Sequence, residues 1–381
     1  MNTEIKRCTR CILPSSLSTI TLDKEGVCNH CRKYEQDFRE WDLISDRKER
    51  EFISILDKAK SLNRPYDCLV PLSGGKDSTY ALYLCTKVYK LRTLAVTLDN
   101  GYLSGHAKEN IKNALDSCDA DHIYYSINKS NAAGLFKTFT QKTGDFCNAC
   151  MRGINYAIES SVRTYRIPVI IRGSGRRVQY VSQIKEVSSL NTASYFASVI
   201  KETEAEKRFG HFTAHRHSME LQKIAGGICD ILGIKRTVLM RYIPQYIGMY
   251  DFVYKPFPEI VGIIKKEMRW SHFSDSVEHL DCELHGIPFY KDTLRIPDIT
   301  PKTFHRSGLI RQGLLTREEA MRQEEEDLKK KDPPAELLKY LADNHLSIAE
   351  YSGFVRNSDK TRYEPRIQKV ARNVYHRFRK Y

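Results

Sequence analysis

Three groups of residues in this sequence are equipped for chemistry. The first is Ser73-Gly74-Gly75-Lys76-Asp77-Ser78. Its paired glycines let the backbone approach phosphate oxygens, and successive N–H groups in such a turn point inward at an anion. Ser73 and Ser78 add hydroxyls and Lys76 adds a point charge. Asp77 is out of place in a pure anion site, so it is assigned a role in holding Mg²⁺. The spacing is not that of the longer Gly-x4-Gly-Lys-Ser/Thr loop. A strand-like run precedes these residues and a helix-like run follows, which would bring the positive end of a helix to the same spot. Together they describe a phosphate-binding loop.

The second group is Cys8-x2-Cys11 with Cys28-x2-Cys31, the two pairs separated by 16 residues. This is the spacing of a four-thiolate Zn²⁺ site, closed and structural because four cysteines leave no open coordination position. His30 is then a bystander.

The third is Cys147-Asn148-Ala149-Cys150, which three readings fit. It could ligate a [4Fe-4S] cluster together with a third cysteine, Cys282 or Cys229. It could carry a persulfide for sulfur transfer. Or the two thiols could pack as small hydrophobes at a helix start. His211, His215 and His217 have no acidic partner in register, so a substrate-binding or surface role is expected of them.

These residues need elements to hold them. Apolar runs at 66–72, 94–99, 122–126 and 168–171 read as strands, and helical patterns at 79–84, 106–116, 132–143 and 147–165 alternate with them. That alternation predicts an α/β fold with a parallel sheet covered on both faces. Ligands of such sheets sit at the carboxyl ends of the strands, where the glycine loop, Asp99 and Gly173 all fall. Asp99 and Gly173 therefore join the loop as nucleotide-binding candidates. The domain reading is a zinc knuckle at 1–35, an ATP-binding α/β domain at 36–180, a mostly helical substrate region at 181–345 and a basic tail at 346–381. The charge-dense run at 317–332 reads as an exposed helix face, opened by a capping pattern from Thr316 to Glu319.

Composition bounds the function class. The chain has 381 residues, 41% hydrophobic and 28% charged, as expected of a globular protein. No stretch approaches the roughly 18–20 apolar residues of a membrane span, and the N-terminus lacks an apolar signal region. A cytoplasmic location is expected. Eleven cysteines, an odd count, argue against a disulfide framework. The net charge is +14, and residues 360–381 supply half of it, with eight basic residues against one acidic. Such a tail is usually a solvated terminus, although RNA would also suit it.

The loop matches the PP-loop ATP pyrophosphatases, and more of the chain resembles the N-acetyl sugar amidotransferases within that superfamily, which act in surface-polysaccharide (including lipopolysaccharide) and nonulosonic acid synthesis. The resemblance runs through Cys8-Thr-Arg-Cys11-Ile-Leu-Pro14, Gly26-Val-Cys28-x2-Cys31, Tyr66-Asp67-Cys68 and the loop itself. It continues through Val96-Thr-Leu-Asp99-Asn100-Gly101, residues 166–171, and Arg306 to Ala320. It implies a sheet of the adenine-nucleotide α-hydrolase type. It also implies adenylylation of the acetamido carbonyl of a nucleotide-linked or phosphorylated N-acetyl sugar. Ammonia from a separate glutamine amidotransferase then displaces AMP. Lys76, Asp77, Cys147, Cys150 and Cys282 are the catalytic candidates. The paired cysteines at 147 and 150 are more like the PP-loop thiolases, so ATP-dependent sulfur transfer to tRNA or a small molecule is the rival enzyme reading. A non-catalytic zinc-knuckle RNA-binding protein is the alternative of another class.

Overall fold

The computed structural model describes residues 5–38, 41–175, 193–214, 236–272, 281–330 and 332–358, and the single residues Ala225, Cys229 and Gly233. His215, His217 and the basic run 360–381 lie outside the described residues.

Helices α1 (Asn29–Phe38) and α2 (Trp41–Ser61) lead into β1 (Cys68–Pro71), α3 (Lys76–Tyr83), β2 (Thr93–Asp99) and α4 (Gly105–Asp116). Then follow β3 (Ala120–Ser126), α5 (Lys129–Thr143), α6 (Cys147–Tyr165), β4 (Val169–Arg172) and, much later, β5 (Gln245–Gly248). The five strands form one sheet in the order β3-β2-β1-β4-β5. Every pairing is parallel, so the α/β parallel architecture expected from the alternation is present.

The central strands are apolar on both faces, as a doubly covered sheet demands. Val70, Ala95, Val169, Ile171 and Ile247 pack with residues of α2, α3 and the helix Phe257–Met268. Leu69, Leu94, Val96 and Ile170 face the other way onto Ala157, Ile158 and Val162 of α6. Strand order runs outward from β1 in one direction to β3 and in the other to β5. The reversal point therefore lies between β1 and β4, where the loops after the two strands open a crevice.

Among the described residues the C-terminal half is mostly helical, as expected, but β5 was not foreseen. Four residues, Gln-Tyr-Ile-Gly, are too short to show a period. Pairing with Val169–Arg172 makes them a strand. A second apolar cluster joins Phe136, Phe139 and Phe146 to Phe196, Phe212, Tyr340 and Tyr351.

The knuckle is built into the fold. Its cysteines pack with Leu13, Leu17 and Val27 against Ile296 and Ile299. Arg317 Nε donates to the carbonyls of Cys8 and Cys11 at 3.1 and 3.2 Å. The run at 317–332 is consequently not the wholly exposed face its charge implied. Glu324 is fully buried and accepts from Arg306 NH1 at 2.8 Å. A helix rich in charge can still bury one face when each buried ion finds its partner.

Candidate functional site

The Ser73–Ser78 turn occupies the crevice at the end of β1. Helix α3 starts at Lys76 with Gly75 as its N-cap, and no side chain caps it. Its first N–H groups are thus left for an anion. Gly74 takes φ +79°, and a Cβ there would lie 2.3 Å from the Ala107 carbonyl oxygen, so only glycine fits. The Gly74 carbonyl is clasped from behind by Trp270 Nε1 at 2.9 Å and Asn110 Nδ2 at 3.3 Å. Ser78 Oγ accepts from the Ser73 N–H at 3.2 Å and donates to the Gly75 carbonyl at 3.0 Å, closing the turn on itself.

Gly173 follows β4 and meets this turn. A Cβ on it would sit 2.3 Å from the Asp77 carbonyl oxygen. Lys76 Nζ lies 2.8 Å from Asp77 Oδ2 and 4.9 Å from the centre of the Phe257 ring. The other Asp77 oxygen accepts from the hydroxyl of Tyr250 at 2.6 Å. Burial and the neighbouring Asp77 carboxylate push that phenol well above its usual range, so it stays a donor. Nothing local in the sequence pointed to Tyr250, which lies 173 residues from its partner.

Asp99 ends β2, buried. Burial raises its pKa, but the Tyr124 hydroxyl at 2.6 Å, Lys108 Nζ at 2.9 Å and the Gly101 N–H at 2.8 Å outweigh that effect. The net result is a carboxyl held below its ordinary value.

Cys147 and Cys150 stand three apart in the first turn of α6, with Cys282 brought beside them. Leu103 bridges antiparallel to Cys282, and the Ser104 N–H donates to the Asp281 carbonyl at 3.0 Å. Asn100, next to Asp99, donates its side-chain amide to Cys150 Sγ at 3.0 Å. A Cβ on Gly75 would lie 3.8 Å from Asp281 Oδ2, so the loop borders this group. The three thiols act on one another electrostatically. Burial pushes Cys150 up to about 12 and Cys282 up to about 11, and Cys147 also rises. Cys229 is buried.

Beneath Cys147 lies a buried ion network that sequence reasoning missed. Asp145 Oδ1 accepts the Cys147 N–H at 2.7 Å, and Asp145 Oδ2 meets Lys291 Nζ at 2.5 Å. Asp292 Oδ1 lies 3.4 Å from the same Nζ without a hydrogen bond. Burial pushes the Asp292 carboxyl up to about 6. His211 lies apart from this network, 3.4 Å from the Tyr125 hydroxyl and packed edge-on to Tyr156.

The four N-terminal thiols are different in kind. All are buried, and their Sγ atoms lie within 4.8 Å of one another. N–H groups of residues 10, 11 and 28 point at Cys8 Sγ at 3.2–3.4 Å, and the Cys31 N–H points at Cys28 Sγ at 3.4 Å. Four convergent sulfurs with backbone donors behind them suit one tetrahedral ion such as zinc.

No protein-family model matches the chain. An uncharacterized protein of Methanocaldococcus jannaschii is 29% identical over 172 residues, which is 44% of this chain and 58% of that protein. The chain thus spans less than two thirds of that relative's length. A solved structure of NMN synthetase from Francisella tularensis is similar at 14% identity, covering 65% of this chain and 99% of its own, with a TM-score of 0.27. At that level the likeness carries no argument for this chain. Among the described residues, no helix is long and apolar enough to cross a membrane.

Proposed function

We propose that this chain is an ATP-dependent enzyme of the PP-loop kind, one that adenylylates the acetamido carbonyl of an N-acetyl sugar and passes the adenylate to ammonia. The observation that carries the reading is the uncapped α3 N-terminus at the reversal point of a parallel sheet, with Gly74 and Gly173 clearing its approach and Lys76 beside it.

In this reading the carbonyl oxygen attacks the α-phosphorus and the bond to the β-phosphate oxygen breaks. Pyrophosphate leaves into the N–H groups of α3, where Lys76 moves from Asp77 to meet its charge. The amide N–H proton is lost as the O-adenylyl imidate forms. Ammonia adds to the imidate carbon and AMP departs, leaving an acetamidino group. Asp77, oriented by Tyr250, is the carboxylate assigned to Mg²⁺, which supplies charge neutralisation on the phosphates when bound. Ammonia would come from a separate glutamine amidotransferase.

A second reading is favoured by one observation, the convergence of Cys147, Cys150 and Cys282 beside the loop. Three thiols at that place could hold an iron–sulfur cluster, or one of them, charged as a persulfide by a separate sulfur donor, could attack the adenylate with its outer sulfur, AMP leaving and a second thiol freeing the thiolated product as a Cys–Cys disulfide forms, which would make the enzyme a sulfurtransferase.

The test is pyrophosphate release on mixing the full chain with ATP, ammonia and candidate N-acetyl sugars, with mass analysis of the product. Replacement of the acetamido oxygen by NH supports amidotransfer. A thiolated product, with a brown anaerobic protein whose colour needs Cys147 and Cys150, moves the assignment to sulfur transfer. Binding of RNA without pyrophosphate release from any substrate overturns both.

A further inference from the structure

One carboxylate at the edge of the crevice has no task in the chemistry above. Asp281 Oδ2 lies 3.8 Å from the position a Cβ on Gly75 would take, so it borders the turn at the N-cap of α3. It also acts electrostatically on Cys150 and on Cys282, its neighbour in the chain. Asp281 therefore borders both the loop and the thiol group. Its backbone is fixed at that place. The Ser104 N–H donates to its carbonyl at 3.0 Å, and Cys282 bridges antiparallel to Leu103.

The carboxylates already placed in the site are engaged. Asp77 is held by Lys76 and Tyr250, and Asp99 by Tyr124, Lys108 and the Gly101 N–H. Asp145 meets Lys291 and the Cys147 N–H, and Asp292 lies beside the same Nζ. The thiols are no bases at neutral pH, because burial keeps Cys150 and Cys282 protonated. Asp281 is partly exposed, and among the described residues its carboxylate makes no hydrogen bond and no ion pair.

The proposed reaction needs a group of this kind. Ammonia that adds to the imidate carbon becomes a cationic nitrogen, and it leaves again unless a base removes a proton before AMP departs. That carbon is joined through one oxygen to the α-phosphorus, so it stays close to the loop that takes the pyrophosphate.

We infer that Asp281 is the general base for the incoming nitrogen. Its carboxylate takes one proton from that nitrogen as the N–C bond forms. The C–O bond to AMP breaks, and its electron pair leaves with AMP. The proton then passes from Asp281 to the other amidine nitrogen, giving the amidinium product. The inference rests on the proposed function and deepens it, assigning the second half of the reaction to the segment between the loop and the thiols.

The experiment reads the two halves separately in the full chain, in the wild type and in Asp281→Asn, Asp281→Ser and Asp281→Glu. Sugar-dependent exchange of labelled pyrophosphate into ATP reports adenylylation, and acetamidino product reports attack by ammonia. Asp281→Asn is expected to leave exchange, the KM for sugar and the melting temperature nearly unchanged. Product formation from ammonia should fall by about 10²–10³-fold. Asp281→Ser repeats the comparison with a second replacement, so a folding defect in one variant does not decide it. Asp281→Glu should restore part of the rate. Hydroxylamine, whose nitrogen gives up a proton more easily once bonded to carbon, should lose far less than ammonia in Asp281→Asn. Equal loss of exchange and product, with a raised Mg²⁺ requirement, overturns the base and makes Asp281 part of the phosphate site. Unchanged product formation in Asp281→Asn and Asp281→Ser overturns it as well. The wild type tests the underlying reading. A thiolated product, or no exchange with any N-acetyl sugar, overturns the proposed function and the base with it.

Discussion

The chain contains the Cys-x2-Cys spacing three times, and its two cysteine sites are built in opposite ways. In the knuckle, four fully buried thiols converge within 4.8 Å, backbone N–H groups point at their sulfurs, and Arg317 ties the carbonyls behind them to the C-terminal half. At the sheet edge three partly buried thiols gather beside the loop, and a side-chain amide from Asn100 reaches one of them. Beneath them lies Lys291 between two carboxylates. Backbone donors and a closed shell make a scaffold. At the sheet edge the donor is a side chain and the glycine turn is a neighbour, the arrangement on which the proposed chemistry draws.

The largest effect should come from breaking the first site. Cys28→Ser is expected to abolish zinc binding, and with it a contribution on the order of 10 kcal/mol in small zinc modules. Metal analysis and proteolysis of the N-terminal module check it. Cys150→Ser should leave the zinc content and the melting temperature nearly unchanged. If both variants lose zinc and fold alike, the contrast between the two sites is wrong.

Next in size, Lys76→Ala should lower substrate-dependent pyrophosphate release by about 10²–10³-fold without changing thermal stability. Unchanged turnover would remove the loop from the chemistry and leave the thiol group beside an idle turn.

A smaller, signed effect concerns the ground beneath the thiols. The Asp292 carboxyl is pushed up to about 6 by burial, so the folded protein keeps a proton that the unfolded chain releases near pH 4. Its contribution to stability therefore falls as pH rises from about 4 to about 6, and the penalty persists above that. Asp292→Asn should flatten this window and stabilise the protein at pH 7 by on the order of 1–3 kcal/mol. Asp145, held below its usual value because Lys291 outweighs its burial, acts in the opposite sense and only at more acid pH. Melting temperatures between pH 4 and 8 read the sign directly.

The smallest effect is at the knuckle's rear. Arg317→Ala removes the donor to the carbonyls of Cys8 and Cys11 and should cost about 1–2 kcal/mol. Zinc should remain bound, which distinguishes docking of the module from its metal chemistry.

Local chemistry was legible in the sequence by itself. Two glycines with a strand before them and a helix after specify a tight turn at a bare helix N-terminus because backbone conformation is decided over a few residues. The four cysteines specify a group that could hold a metal ion because ligand spacing within each pair is a local constraint. Alternating strand and helix patterns likewise specified a parallel sheet. Only the tertiary structure decided what those pieces meet. It brought Cys282 to Cys147 and Cys150, Tyr250 to Asp77, Lys291 to Asp145 and Asp281 to Gly75. It also turned Gln245–Gly248 into a strand and seated the knuckle on residues 296–324. Each of these depends on packing between segments far apart in the chain or too short to show a period of their own, and no local pattern records the surfaces that bring them together.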